Sequence, residues 1–265
     1  MKISSLNNKE TLRFILKLGA FFGCGVLFLA VMHDQVYAYG KYPDSWLAQA
    51  FDMNGEQNFP TWFSSIAWAG VGVFALLCFW IEGKLPKGKT RFYWLVIAAA
   101  FFAASCDDIA TIHEQLGLYW QDQLDASLLG QHIHQTAVDS PWLMFYIVPI
   151  ITFLVASAVF IWSRFKPYPI LLWLTAFGGA CYLLALGCEQ YQGIPQWQCC
   201  EIARTVHIPT RPLLNFSILL EECLEILGST LLMMAFSGYC FEKGSHSANT
   251  STCEALRDSV AIKDD

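Results

Sequence analysis

The stretch LLNFSILLEECLEILGSTLLMMAFSGYCF, residues 213–241, decides the fold, because it is long enough to cross a bilayer and yet contains Glu221, Glu222 and Glu225. Residues three and four apart share one face of a helix, so the three carboxylates lie on the same side. Ionised groups in hydrocarbon are costly and usually face a bundle interior, where they meet a cation, a proton path or a polar partner. We therefore expect other helices of the chain to supply partners for this acidic face.

The composition is that of a membrane protein. The 265 residues are 55% hydrophobic and only 14% charged, with a mean hydropathy of +0.41. Membrane spans and short connections account for nearly all residues of a chain of this length, so we expect one integral domain and no separate soluble catalytic domain. Membrane lipid is the expected partner. Nucleic acid is not, since the chain has no basic patch and no nucleic-acid-reading motif.

Six apolar runs have the length of a transmembrane helix, about 20 residues. They cover residues 14–32, 62–81, 92–112, 142–162, 170–188 and 213–235. The expected fold is therefore an all-α integral membrane protein, a bundle of six transmembrane helices that forms a single domain over residues 1–241. The polar tail that follows, residues 242–265, is expected to be short, cytoplasmic and disordered.

The distribution of basic residues predicts the orientation. Thirteen of the sixteen lysines and arginines lie on one side of the predicted spans, which leaves Lys41, Arg204 and Arg211 for the other side. Basic loops stay in the cytoplasm, so both termini are expected there. Val36-Tyr37-Ala38 resembles a signal peptidase site, but the preceding run is long enough to span and five more runs follow, so we expect it to remain as the first helix.

A second acidic stretch, SCDDIATIHE at residues 105–114, closes the third predicted span. Asp107 and Glu114 are seven residues apart and nearly eclipsed on a helix, while Asp108 and His113 flank them. At about 1.5 Å per residue, Asp107 lies ~22 Å along the span, about three quarters of the way across a ~30 Å core. The stretch therefore belongs to the outer half of the membrane.

The acidic residues of the outer half predict a metal site. Together with the end of the fifth span, three helices contribute seven carboxylates and one imidazole, from Asp107, Asp108, His113, Glu114, Glu189, Glu221, Glu222 and Glu225. So many negative charges cannot share a dry site without protons or cations. Oxygen ligands with one histidine suit a divalent metal ion, iron or manganese best, with zinc or calcium as the alternatives.

A second interpretation of these residues needs no metal. The Glu-x-x-His spacing that helical di-metal centres carry is absent from the sequence. Asp107, Asp108 and Glu189 can equally be interfacial residues at helix ends, wetted by headgroup water. The glutamates of residues 213–241 fit this interpretation less well, because apolar residues continue on both sides of them.

Several outer segments carry local signals. Ser45 can cap a short helix over residues 46–51 that lies in the outer interface. The small residues Gly178-Gly179-Ala180 in the fifth span suit close helix packing. Among the ten cysteines, an oxidising compartment could reach Cys188, Cys199 and Cys200, so a disulfide from Cys188 to one of that pair is expected, with a free or vicinal pair as the alternative. His132 and His134 are expected in a solvated loop.

The outer side carries four motifs, namely Glu56-x-Asn58-x-Pro60-Thr61-Trp62, Ser105-x-Asp107-Asp108-x-x-x-x-His113-Glu114, Glu189 at the end of the fifth span, and Glu221-Glu222-x-x-Glu225-x-x-Gly228. Together they resemble an uncharacterised family of bacterial multi-pass inner-membrane proteins, in which position 108 is usually Glu. The resemblance covers most of the chain and implies location in the inner membrane without implying an activity. Alkaline ceramidase-like membrane hydrolases fit poorly, because this chain lacks their paired histidines in a late helix.

Three functions remain open at this point. The first is a metal site, with Glu222, Glu225, Asp108, Glu114 and His113 as the main ligands, in a membrane metalloenzyme that acts on a lipid-soluble substrate. The second is a proton- or cation-coupled transporter that uses the same carboxylates, although the chain shows no inverted repeat. The third is an accessory subunit of a membrane complex, in a homo- or hetero-oligomer. The sequence does not decide whether the protein is an enzyme.

Overall fold

The structure, a computed structural model, describes residues 9–38, 45–53, 55, 57–83, 89–112, 115–116, 119, 141–192 and 210–261. Within these ranges it is entirely helical and has no strand. The α-helices are α1 (Lys9–Met32), α2 (Trp46–Ala50), α3 (Phe59–Glu82), α4 (Tyr93–Ala110), α5 (Pro141–Phe165), α6 (Pro169–Gln192) and α7 (Thr210–Ala261). A π-helical segment, His33–Ala38, extends α1, and a 3-10 turn, Lys89–Phe92, precedes α4.

Five helical segments of the described chain are long and apolar enough to cross a membrane: Lys9–Val36, Phe59–Glu82, Thr90–Ala110, Val148–Phe165 and Pro169–Tyr191. They coincide with the first five predicted spans. The sixth predicted span, residues 213–235, lies within α7, whose length and composition do not place it among these five. The prediction of an all-helical protein is therefore confirmed for the described residues, and five of their helices are long and apolar enough for a multi-pass membrane protein, whereas the sixth span and the orientation of the termini stay predictions.

Helix α7 is the centre of the arrangement. It contacts α1, α3 and α6, and α3 in turn packs against α4. Its backbone continues as a helix to Ala261, through residues for which the sequence predicts a disordered tail. The end of the bundle where α3 ends and α4 begins carries Arg91 and Arg164, and we call it the basic end. The opposite end, where α4 and α6 end, carries Asp108 and Glu189, and we call it the acidic end.

Short capping interactions organise the acidic end. The Ser45 hydroxyl accepts a hydrogen bond from the Ala48 amide at 3.3 Å, so the predicted cap of α2 is confirmed. Asn58 caps α3 in the same way, accepting from the Thr61 amide at 3.1 Å. Nδ1 of the buried His33 accepts from the Met53 amide at 3.0 Å, which ties the segment after α2 to the end of α1.

Two facing glycines set the closest approach of α6 and α7. A Cβ added to Gly178 would lie 3.0 Å from the Gly228 carbonyl oxygen, and one added to Gly228 would lie 3.1 Å from the Gly178 carbonyl oxygen. Neither backbone leaves room for a side chain between them. A Cβ on the adjacent Gly179 would meet nothing within 4 Å. The packing role predicted for the small residues of the fifth span is thus confirmed at Gly178.

These neighbouring glycines give a matched test of the packing. Replacing Gly178→Val should push α6 away from α7 and destabilise the protein by about 1–3 kcal/mol, the usual cost of overpacking. Replacing Gly179→Val adds the same atoms to open space and should leave the unfolding temperature nearly unchanged. Thermal unfolding in mild detergent, followed by tryptophan fluorescence, measures both. Equal unfolding temperatures for the two variants would contradict the close contact.

A buried carboxylate joins four helices at the basic end. Oε1 of Glu82, at the end of α3, accepts hydrogen bonds from Trp94 Nε1 of α4 at 3.0 Å and from Tyr239 Oη of α7 at 2.6 Å. It also accepts from Arg164 Nε of α5 at 3.0 Å, and the Glu82 side chain is 8% exposed. Another guanidinium nitrogen of Arg164 donates to Thr90 Oγ1 at 2.8 Å. The negative charge is therefore neutralised and hydrogen-bonded within the bundle.

Removing either partner of the buried ion pair should be costly. Glu82→Ala leaves the guanidinium uncompensated and Arg164→Ala leaves the carboxylate uncompensated, and each should destabilise by about 3–5 kcal/mol. The double replacement Glu82→Leu/Arg164→Met removes both charges at similar volume and should be more stable than either single variant. Unfolding temperatures in one detergent compare the three. A double variant that is as unstable as the sum of the singles would disprove the pairing.

Candidate carboxylate site at the acidic end

Three aromatic rings, which we call the aromatic layer, pack together between the acidic end and the basic end. The layer consists of Trp68 of α3, Phe101 of α4 and Tyr182 of α6, with the Trp68 ring centroid 4.5 Å from that of Tyr182 and 5.5 Å from that of Phe101. Offset or tilted aromatic pairs at these separations attract each other beyond their area of contact. The three rings therefore hold α3, α4 and α6 together and separate the acidic end from the basic end.

The Tyr182 hydroxyl connects this layer to α7. Its oxygen lies 2.5 Å from Ser229 Oγ, and Ser229 Oγ in turn donates to the Glu225 carbonyl oxygen at 2.9 Å. In an apolar span a tyrosine hydroxyl needs a polar partner, and Ser229 supplies it. This hydrogen bond fixes the Tyr182 side chain next to the acidic face of α7.

Two carboxylates from different helices act on that hydroxyl. Glu225 of α7 and Asp108 of α4 both interact electrostatically with Tyr182. Each carboxylate is half-buried. One acidic residue of the third predicted span and one of the sixth thus lie within electrostatic range of the same group, whereas their convergence on one shared site stays a prediction.

The other glutamates of α7 lie on neighbouring parts of the same surface. Glu221 interacts electrostatically with Cys188, near the end of α6, and Glu222 with the adjacent Cys223. Glu221, Glu222 and Glu225 are all half-buried, so none of them is fully exposed on the outside of the bundle. The acidic face of α7 is therefore turned towards α6 for at least Glu221 and Glu225.

Serine hydroxyls line the space between α3 and α4. Ser65 Oγ donates to the Ser105 carbonyl oxygen at 2.8 Å, and Ser105 Oγ donates to the Ser65 carbonyl oxygen at 2.9 Å. Ser105 lies between Phe101 and Asp108 on one face of α4. The Ser64 hydroxyl, fully buried one turn from Trp68 on the acidic side, has no hydrogen-bond partner among the described residues.

The described residues do not by themselves form a metal centre. No three His, Cys, Asp or Glu side chains among them lie close enough together to hold a metal ion. Asp107 and Glu189, both half-buried, also lie at the acidic end. His113 and Glu114, two of the predicted ligands, lie outside the described residues, as do His132, His134, Cys199 and Cys200. Cys188 carries a free thiol in the structure.

Sequence reasoning missed the uncharged part of this site. The predicted site contains no aromatic residue, yet the rings of Trp68 and Tyr182 pack together next to the carboxylates. One signal was present, since Tyr182 is the single tyrosine of the fifth predicted span, residues 170–188. A hydroxyl at that depth needs an intramembrane partner. The contacts of Trp68 and the pairing of Ser65 with Ser105 join different helices, so the sequence of one helix gives no comparable signal of them.

The family is shown by a match over most of the chain. The family described as "Domain of unknown function (DUF8692)" matches residues 19–240. The chain belongs to the DUF8692 family. No curated protein and no solved structure matches it. Because the matched region ends at residue 240, the DUF8692 region includes the aromatic layer, the α7 glutamates and the Glu82 cluster.

Proposed function

We propose that this DUF8692 protein is a six-span protein of the bacterial inner membrane, with both termini in the cytoplasm, that binds a divalent metal ion at its acidic end. The observation that supports it is the burial of Asp108, Glu189 and Glu225, which belong to three different helices and are all half-buried towards the acidic end. Half-buried carboxylates so placed repel each other unless a cation or a proton compensates them. A divalent ion would supply that compensation.

The charge balance of the chain favours a metal ion, rather than a lysine or arginine side chain, as the group that compensates these carboxylates. The sequence supplies seven predicted carboxylates to this side of the membrane but only three basic residues, Lys41, Arg204 and Arg211. Each basic residue could pair with one carboxylate at most, which leaves an excess of negative charge near hydrocarbon. A bound divalent ion would become the largest local charge, and its attraction for each carboxylate would outweigh the repulsion between the carboxylates.

The ligands would come from two helices. Asp108 and Glu225 would bind the ion directly, with Glu222 one turn from Glu225 on the same face of α7. His113 and Glu114 follow Asp108 closely in sequence and would complete the set with one nitrogen and one oxygen. The Tyr182 hydroxyl, held by Ser229, would orient the Glu225 side chain.

The same site could support chemistry on a lipid-soluble substrate. Iron or manganese suits a ligand set of carboxylates and one imidazole, and such an ion can activate oxygen or water. The buried Ser64 hydroxyl and the rings of the aromatic layer would then contact the substrate on the side of the site that faces the basic end. The substrate and the reaction are not specified by this arrangement.

Elemental analysis tests the metal site. We expect the protein purified in mild detergent without chelator to contain about one equivalent of iron or manganese, and the variant Glu222→Gln/Glu225→Gln to lose it, because amides replace the anionic ligands. The matched control is Glu242→Gln, which removes a carboxylate from the same helix at the basic end. Wild-type protein without metal, or equal metal in all three proteins, would refute the proposal.

A proton-coupled carrier is the second candidate, and the short contact between two hydroxyls favours it. Tyr182 and Ser229 lie 2.5 Å apart beside two carboxylates, and hydroxyls both donate and accept protons. Such a group of side chains could pass protons between carboxylates in the membrane.

Vesicles separate the two functions. If the protein carries protons, vesicles loaded with a pH-sensitive dye should show flux under an imposed pH gradient, and Tyr182→Phe should abolish it by removing the hydroxyl. For a metal site, we expect no flux from the wild type and a metal content that Tyr182→Phe lowers only in part. The control is Tyr93→Phe, which removes another intramembrane hydroxyl, bonded to Ser157 of α5.

A further inference from the structure

Two cysteines from different helices lie in contact in the core. Cys78 Sγ of α3 and Cys240 Sγ of α7 are 3.2 Å apart, and both thiols are free. Cys78 Sγ donates to the Phe236 carbonyl oxygen at 3.6 Å, and Cys240 Sγ to the Phe74 carbonyl oxygen at 3.7 Å. Each thiol thus contacts the carbonyl one turn before the other cysteine, and this reciprocal arrangement holds the two sulfur atoms between the helix backbones.

We propose that Cys78 and Cys240 form a redox pair, which a hydroperoxide converts into a disulfide that joins α3 to α7. The sulfur atoms need to approach by only about 1 Å to reach the ~2.0 Å length of a disulfide. Both the dithiol and the disulfide are uncharged, so neither end state places a charge in the apolar core. The proposal is independent of the metal site, which lies at the other end of the bundle.

The exposure of the two thiols gives the order of the steps. Cys78 is fully buried and the Cys240 residue is 8% exposed, so we assign the first reaction with hydrogen peroxide to Cys240. The Cys240 sulfur attacks one peroxide oxygen, the O–O bond breaks, and the products are a sulfenic acid and one water. The Cys78 sulfur then attacks the sulfenic sulfur, the S–S bond forms, and the hydroxyl leaves with the thiol proton as a second water. Two thiols are oxidised and one peroxide is reduced.

The disulfide would lock the region around the Glu82 cluster. Glu82 lies one turn after Cys78 on α3, and Tyr239 directly precedes Cys240 on α7. In the reduced protein, α3 and α7 are held there by the Glu82–Tyr239 hydrogen bond and by packing. A covalent bond one turn away would prevent these helix ends from separating. Oxidation should therefore raise the unfolding temperature, and a reductant should reverse the rise.

Peptide mapping tests the pair in the full-length protein. The protein in mild detergent is treated with hydrogen peroxide in mildly alkaline buffer, where thiols react faster, then denatured, alkylated with N-ethylmaleimide and digested. We expect a disulfide-linked peptide that contains Cys78 and Cys240 and the loss of both from the alkylated peptides. Full alkylation of both after peroxide would overturn the proposal, as would linkage of either one only to another cysteine.

Two variants make the result specific. In Cys240→Ser, Cys78 should stay fully alkylatable after peroxide, because the reachable thiol is gone, and the unfolding temperature should not respond to peroxide. In the matched control Cys181→Ser, which removes a cysteine of α6, the linkage and the rise in unfolding temperature should both persist. A linkage between Cys78 and a different cysteine in Cys240→Ser, or loss of the linkage in Cys181→Ser, would contradict the assignment.

Discussion

One carboxylate oxygen holds the basic end of this protein together. Oε1 of Glu82 accepts hydrogen bonds from side chains of three other helices, α4, α5 and α7. A charge buried in this way is stable only while all its partners are in place, so the four helices must meet in one arrangement. Helix α5 is joined to α3 through this oxygen, because Arg164 donates to Glu82, and a separate hydrogen bond between Tyr93 and Ser157 joins α5 to α4.

The two ends of the bundle differ in the side chains that surround their charged groups. Around Glu82 the packing is aromatic and dense, with Trp94, Phe165 and Phe236 fully buried and in ring contact. At the acidic end, serine hydroxyls and half-buried carboxylates lie next to the rings of the aromatic layer. Buried rings give rigidity, whereas polar groups near hydrocarbon need a ligand, a proton or water. The charged group at the basic end is thus paired within the bundle, whereas the acidic end brings several half-buried carboxylates together at the end of the helices.

Part of this could be predicted from the sequence. Hydropathy gives the helices because a bilayer requires about 20 apolar residues per span, and the charges at Asp108 and Glu225 are conspicuous in such surroundings. Tyr182, Trp68 and Ser229 escaped prediction, because tyrosine, tryptophan and serine occur in membrane helices for several reasons and periodicity within one helix does not show which face meets which neighbour.

Glu82 escaped for a different reason. It stands at the junction of an apolar run and a basic loop, where charged residues are ordinary and give no signal of burial. Its three donors are separated from it by 12, 82 and 157 residues along the chain. Hydropathy and residue spacing act over one helix at a time, so pairings between distant helices appear only once the helices are assembled. The packing of Gly178 was predictable because small residues in a span have few other uses.

The contact between Gly178 and Gly228 also fixes the spacing of α6 and α7 beside the acidic face. Side chains pack around it, because a Cβ on Gly178 would also meet Leu231 and Leu232, and one on Gly228 would meet Tyr182. Gly228 lies one turn from Glu225 and about three turns from Tyr239. Any group that binds between α6 and α7 beside Glu225 therefore has to fit a gap whose width is set by the backbone contact of two glycines one turn away.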